Sequence, residues 1–187
     1  RIQYLFQRNI QELEMVVTEL WEELRESLFE PEAFEVNFGG SDGLPAIAIP
    51  NRGMNAILRG FVDRVDIWHR QGTDYYRVVD YKTGKKDFDY CDVFNGVGLQ
   101  MLLYMFALRN SGEENLGDRP VAAGVQYFPA RVPLVSADGS LTEEEAEQAH
   151  SKDFKRKGLI LSDEPVLRAM ESSDEPKRLS IKRKKDG

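Results

Sequence analysis

Three side chains in the middle of the sequence, Asp63, Asp80 and Lys82, have types and spacing that suit chemistry on a charged oxygen. Residues 56–68, AILRGFVDRVDIW, alternate as a β-strand does. That places Phe61, Asp63, Val65 and Ile67 on one face and Gly60, Val62, Arg64, Asp66 and Trp68 on the other. Asp63 is then a carboxylate among apolar neighbours. An unpaired buried carboxylate is very unfavourable, so it requires a partner or a cation. Residues 75–82, YYRVVDYK, repeat the pattern, with Val78, Asp80 and Lys82 on one side and Val79 and Tyr81 on the other. If the two strands pair across the RQGTD turn, Asp63 and Asp80 converge beside an ammonium. Two close carboxylates repel and raise a pKa. A divalent cation removes that conflict, and hard oxygen donors suit Mg²⁺ or Mn²⁺. Lys82 beside them can orient a water or offset charge on a phosphoryl oxygen. The same residues also fit a buried Asp–Lys ion pair in an ordinary sheet, and one D-x-K spacing does not separate the two readings. Asp66, which shares its face with Arg64, reads as a plain ion pair.

TGKK at 83–86 invites a nucleotide phosphate loop. Such a loop needs glycine five residues before its final Gly-Lys and Ser or Thr after the Lys. Val79 and Lys86 stand at those places, so that chemistry is excluded. Further along, Gln100 and Tyr104 lie four residues apart in the apolar run LQMLLYMFAL, on one face of a helix. Buried, they need partners. They are either structurally hydrogen-bonded or a polar edge aimed at the carboxylate–lysine group.

The elements that must position these residues follow from periodicity. Apolar residues at three- and four-residue intervals predict an amphipathic helix over 2–28, ended by Pro31. FEVNF, LPAIAIP, 56–68 and YYRVVDYK read as four strands of an antiparallel meander. DVFNGVGLQMLLYMFALRN reads as a helix apolar on most of its surface, hence buried, and VAAGVQYF as a further strand. Ser140 and Glu143 fit a capping box. LSDEPVLRAMES offers a last short helix. The order predicts an α+β fold around one mixed β-sheet flanked by helices. The expected divisions are an N-terminal amphipathic helix packing on the core at 1–30, a core at 31–130, and an extension with short helices and a basic tail at 131–187.

The totals narrow the function classes. The 187 residues suit one domain, and 41% hydrophobic residues supply a real core. Cys91 is the single cysteine, which excludes an internal disulfide and a four-cysteine metal site; a reducing, cytoplasmic compartment is expected. His69 and His150 stand in no zinc-ligand spacing. The net charge of −7 resides in residues 1–50, with three basic and ten acidic side chains, while the remainder is neutral. The tail KRLSIKRKKDG is basic enough to touch phosphates or simply to be solvated. Arg1 in place of methionine is read as the start of a piece of a longer chain.

GFVD at 60–63, DYK at 80–82 and QMLLY at 100–104 match G-x-x-D, D-x-K and Q-x-x-x-Y in order and spacing. The chain thereby resembles the RecB-type branch of the PD-(D/E)xK nuclease superfamily. GFVDRVDIW, YYRVVDYKTGKKDF, GLQMLLYMFAL, AAGVQYFPAR and RKGLIL with VLRAME are similar to the AddB-type nuclease domains of bacterial ATP-dependent helicase–exonucleases. The resemblance implies a restriction-endonuclease-like core. It also implies a Mg²⁺- or Mn²⁺-dependent exonuclease acting on DNA, in single-stranded form, beside an AddA-type partner subunit in double-strand-break repair and recombination. Asp63, Asp80 and the carbonyl of Tyr81 would be metal ligands, Lys82 the catalytic lysine, and Gln100 and Tyr104 positioning groups. A non-catalytic DNA-guiding module and a stand-alone nuclease are the rival expectations.

Two features depart from the branch. It often supplies a histidine ligand from the N-terminal helix, and residues 1–50 hold none. Glu35 is an acid near that position, or else a salt-bridge partner of Arg64. The iron–sulfur cluster that the resemblance implies for a full-length protein has no cysteine set within these residues.

Overall fold

The computed structural model describes residues 2–40, 44–51, 53–115, 120–131 and 152–181, together with residues 142 and 145. A five-stranded mixed sheet forms the body. Its strands are β1 (Glu30–Phe38), β4 (Gly60–Arg70), β5 (Thr73–Lys82), β6 (Val121–Pro129) and β7 (Lys157–Ile160), in the order β1-β4-β5-β6-β7. β5 and β6 run parallel and every other neighbour antiparallel. A parallel pair needs a long crossover, and α2 (Tyr90–Phe94) and α3 (Gln100–Asn115) lie in it.

The expected four-strand meander is not formed. β2 (Ile47–Asn51) and β3 (Met54–Leu58) pair with each other as a separate hairpin, and β4 pairs directly with β1. The 56–68 segment divides between β3 and β4, just before Gly60. The Phe38 ring occupies the space of a side chain at Gly60: a Cβ there would come within 2.7 Å of Phe38 Cζ. Phe38 in turn meets Tyr104 of α3 edge-on at 5.5 Å. Gly60→Ala must displace that ring, and an overpacked core costs about 1–3 kcal/mol. Denaturant unfolding should show that loss; an unchanged midpoint would mean the ring moves freely.

The single long helix expected across 92–110 is broken. Gly96 and Gly98 sit at φ +79° and +69°, a conformation that glycine adopts without steric cost, and α3 begins only at Gln100. α3 buries one face, Met101, Tyr104, Ala107 and Leu108, on the sheet, while Phe106 points outward. The sheet residues beneath it include Val65, Ile67, Tyr76, Val78, Val125 and Tyr127. The opposite side carries a second apolar cluster in which Phe29, Ala123 and Leu179 meet Val166, Ala169 and Met170 of α4 (Glu164–Met170). Asp163 caps α4 by accepting from the Val166 N–H. Ser140 and Glu143 lie outside the described residues; Thr142 and Glu145 make the reciprocal capping pair two positions on.

α1 (Ile2–Glu26) is the helix expected from the periodicity, but it meets the body differently. Its apolar stripe is largely exposed, Leu13 at 61% and Trp21 at 56%, and its one buried residue is Glu23. Contact is made through carboxylates. Glu23 Oε1 accepts from Arg64 and Arg77 at 3.1 and 3.0 Å, and Oε2 from Arg156 Nε at 2.7 Å. Glu19, Glu22 and Glu26 pair with Arg178. The acidity concentrated in residues 1–50 therefore has a structural use, and the first arginine of the basic tail is a half of it, not a free charge.

Candidate active site

The β4–β5 register pairs Arg64 with Val79, Val65 with Val78 and Asp66 with Arg77. One step beyond the Arg64–Val79 pair, Asp63 Oδ2 accepts the backbone N–H of Tyr81 at 2.8 Å, so this carboxylate closes the end of the ladder. Asp80 stands beside it, 2% exposed, and Lys82 Nζ lies 2.5 Å from Asp80 Oδ2. Asp80 is opposite Tyr127 of β6, whose ring centroid is 5.9 Å from Lys82 Nζ. Burial pushes the Asp80 carboxyl above the usual carboxylate range and the Asp63 charge adds to it, against the pull of Lys82 and Lys86. Burial would lower the Lys82 ammonium, but Asp80 and Asp63 hold it above its ordinary value. Lys82 is thus kept protonated between two carboxylates.

Tyr81 is held at both ends. Its N–H goes to Asp63, and its hydroxyl, on the other side of the sheet, accepts from Arg64 Nη1 at 2.8 Å. Arg64 makes no ion pair with Glu35 among the described residues; its carboxylate partners are Glu23 and Asp66. Glu35 sits exposed at φ +52°, outside any ion pair among the described residues. Asp66 is more than the half of a plain pair, since it bridges Arg64 at 2.8 Å and Arg77 at 2.7 Å with no exposure at all.

Gln100 Nε2 donates to the Tyr104 hydroxyl, and that ring is buried against Phe38. Gln100 itself is exposed at the first position of α3. No hydrogen bond among the described residues joins either group to Asp63, Asp80 or Lys82.

A divalent cation can be tested against this corner. Asp80 Oδ2 is buried, has the Lys82 ammonium in contact, and receives no aligned hydrogen bond among the described residues. A carboxylate oxygen so placed, next to a second carboxylate, fits a hard cation. The described residues hold no group of three or more acidic, histidine or cysteine side chains suited to a metal, so the side-chain donor set is this pair. Lys82 also borders an open cleft of about 570 Å³ whose walls carry lysines from the 82–87 turn and from residues 152–157. In the sequence those lysines fall in two separate stretches, 82–86 and 152–157, with nothing to join them.

The chain belongs to the PD-(D/E)XK nuclease superfamily, whose family model matches residues 2–178. Nucleases of this superfamily generally use divalent metals such as Mg²⁺. Among individual proteins, the chain is 40% identical over 161 residues to one subunit of an ATP-dependent helicase/deoxyribonuclease of Acetivibrio thermocellus, covering 86% of this chain and 14% of that one. The identically named protein of Oceanobacillus iheyensis is 38% identical, with 82% of this chain and 13% of that one covered. The one from Moorella thermoacetica is 35% identical across 100% of this chain and 16% of its own length. The chain thus spans about a seventh of the length of the curated relatives it matches. No described helix is long and apolar enough to cross a membrane.

Proposed function

We propose that this chain is the metal-dependent deoxyribonuclease module of an ATP-dependent helicase–nuclease, cutting phosphodiester bonds of single-stranded DNA passed to it by a partner subunit. It would act as an exonuclease in the cytoplasm, in double-strand-break repair and recombination. The observation that carries this reading is the corner formed by Asp63, Asp80 and Lys82 at the end of the β4–β5 ladder. In it, the Asp63 and Asp80 carboxylates and the Tyr81 carbonyl would hold Mg²⁺ or Mn²⁺. When bound, the ion supplies an acidified water and draws charge from the phosphate. Lys82 donates to a non-bridging phosphate oxygen or to the attacking water, and its raised pKa keeps that proton available through neutral pH. The Asp63 bond to the Tyr81 N–H and the Arg64 bond to its hydroxyl hold the residue whose carbonyl, in the following peptide, is the third donor of this reading. Gln100 and Tyr104 position the DNA strand or the lysine from α3. An iron–sulfur cluster of the implied kind would take its cysteines from outside these residues, because Cys91 is exposed and is the single cysteine.

Incubating the chain with a single-stranded oligonucleotide should give cleavage with Mn²⁺ and none in chelator. Calorimetric titration should show one Mn²⁺ per chain, with an affinity in roughly the high-micromolar to millimolar range expected of so few oxygen ligands. Tight binding that persists in Asp80→Asn would put the metal elsewhere and remove the physical support for the reading.

A further inference from the structure

The cleft beside Lys82 is not accounted for by the chemistry of the three-residue corner. Its lining carries seven cations against two carboxylates, in a chain whose net charge is −7. Lys85 and Lys86 stand on the turn that follows β5. Arg131 follows β6. Lys152 and Lys155 come from the segment that leads into β7 and Lys157 is the first residue of that strand, all beyond the region expected to hold the nuclease core. The walls are therefore distant in sequence and meet only because β7 pairs with β6.

Register places the cleft relative to the site. Asp80 is opposite Tyr127, and Tyr127 is opposite Lys157, so the three form one row across β5, β6 and β7. Two strand spacings separate the ends of the row, about 10 Å. A polyanion whose reacting phosphate lies at Asp80 and Lys82, and which runs along this row, brings its neighbouring phosphates among these cations. Of the cations beyond Lys82, only Lys157 forms an ion pair among the described residues, with Asp87 at 3.6 Å, an exposed pair that exchanges readily, while Lys86 acts on the Asp80 charge without pairing with it. Exposed, like-charged lysines drawn together cost electrostatic energy, which an anionic backbone relieves.

We infer that this cleft is the track for the sugar–phosphate backbone of the strand being cut, and that the C-terminal segment at 152–157 forms one wall of the substrate site. The inference rests on the nuclease reading for the identity of the polyanion. Phosphate contacts make affinity salt-dependent, with a slope of about 0.7 per contact for a single strand. Lys85 and Lys152 are both exposed and come from opposite walls. Neither is in the catalytic corner.

The test is binding of a fluorescent oligothymidylate to the 187-residue chain in chelator, at a series of salt concentrations. The double variant Lys85→Gln/Lys152→Gln should reduce the slope of log K against log salt by about 1.4 and weaken binding about 25-fold at 0.1 M salt. Lys85→Arg/Lys152→Arg should restore both. With Mn²⁺, the Gln variant should raise KM and leave kcat near that of the parent chain. Should the Gln variant fail to fold, Arg131→Gln/Lys155→Gln reads the same loss from the same cleft. An unchanged slope and unchanged KM in a folded variant would overturn the track, whatever the chain cleaves. Tighter binding of an acidic polypeptide than of an oligonucleotide of equal charge would overturn it in favour of a protein partner. If the parent chain binds with the expected slope but cuts nothing with any divalent ion, the track stands and the nuclease reading falls.

Discussion

Asp80→Asn is expected to lower DNA cleavage by roughly a thousandfold or more, as loss of a catalytic metal does, while the chain keeps its fold. The second half of that expectation comes from the electrostatics of the free site. Burial, with the Asp63 charge beside it, pushes the Asp80 carboxyl up despite Lys82, so the ionised form is costly in the metal-free protein. An amide of the same shape removes that cost. The metal-free melting temperature should accordingly hold or rise, and the Mn²⁺ titration signal should vanish. Cleavage near the parent level would remove Asp80 from the site. A large fall in melting temperature would make Asp80–Lys82 a structural ion pair, which is the other reading the sequence allowed.

Glu23→Ala should produce the largest loss of stability, about 3–5 kcal/mol, because it leaves three buried arginines, Arg64, Arg77 and Arg156, short of a counter-charge. Urea unfolding measures this directly; a change under about 1 kcal/mol, the range of exposed pairs, would show that solvent reaches the cluster. The same carboxylate sets a pH dependence. Burial alone would raise its pKa, but Arg156, Arg77 and Arg64 together lower it from 4.5 to about 2. A pKa depressed by folding stabilises above the unfolded value and ceases to do so as pH falls through the folded one. The contribution, about 3 kcal/mol, is present above pH 4.5 and disappears between 4.5 and 2. Glu23→Gln should flatten the stability curve in that window. Asp66 belongs to the same group. As a plain pair facing away from the chemistry it would be dispensable, but it joins two fully buried arginines. Low activity in Asp66→Ala will therefore reflect lost folding.

Strand alternation was enough to put Asp63, Asp80 and Lys82 on one side of a sheet, because side chains on paired strands have a period of two and the RQGTD turn leaves little freedom of register. The α+β class, the sites of α1 and α4, and the family motifs were equally legible, since each is written in local spacing. What local spacing cannot express is a choice among partners. The apolar residues spaced along 2–28 gave the expectation of a stripe packed on the core, yet the helix docks through Glu23, whose three arginine partners lie 41, 54 and 133 residues away. Gly96 and Gly98 read as apolar-run residues until their positive φ values broke the helix ahead of Gln100. The two lysine walls of the cleft come together because β7 adds to β6 with Lys157 opposite Tyr127, and nothing in either run specifies that register. The sequence by itself determined which residues are capable of the chemistry. Only the tertiary structure decided which charges are neutralised inside and which are left facing the cleft, because long-range pairing energies depend on distance in space, which chain separation does not encode.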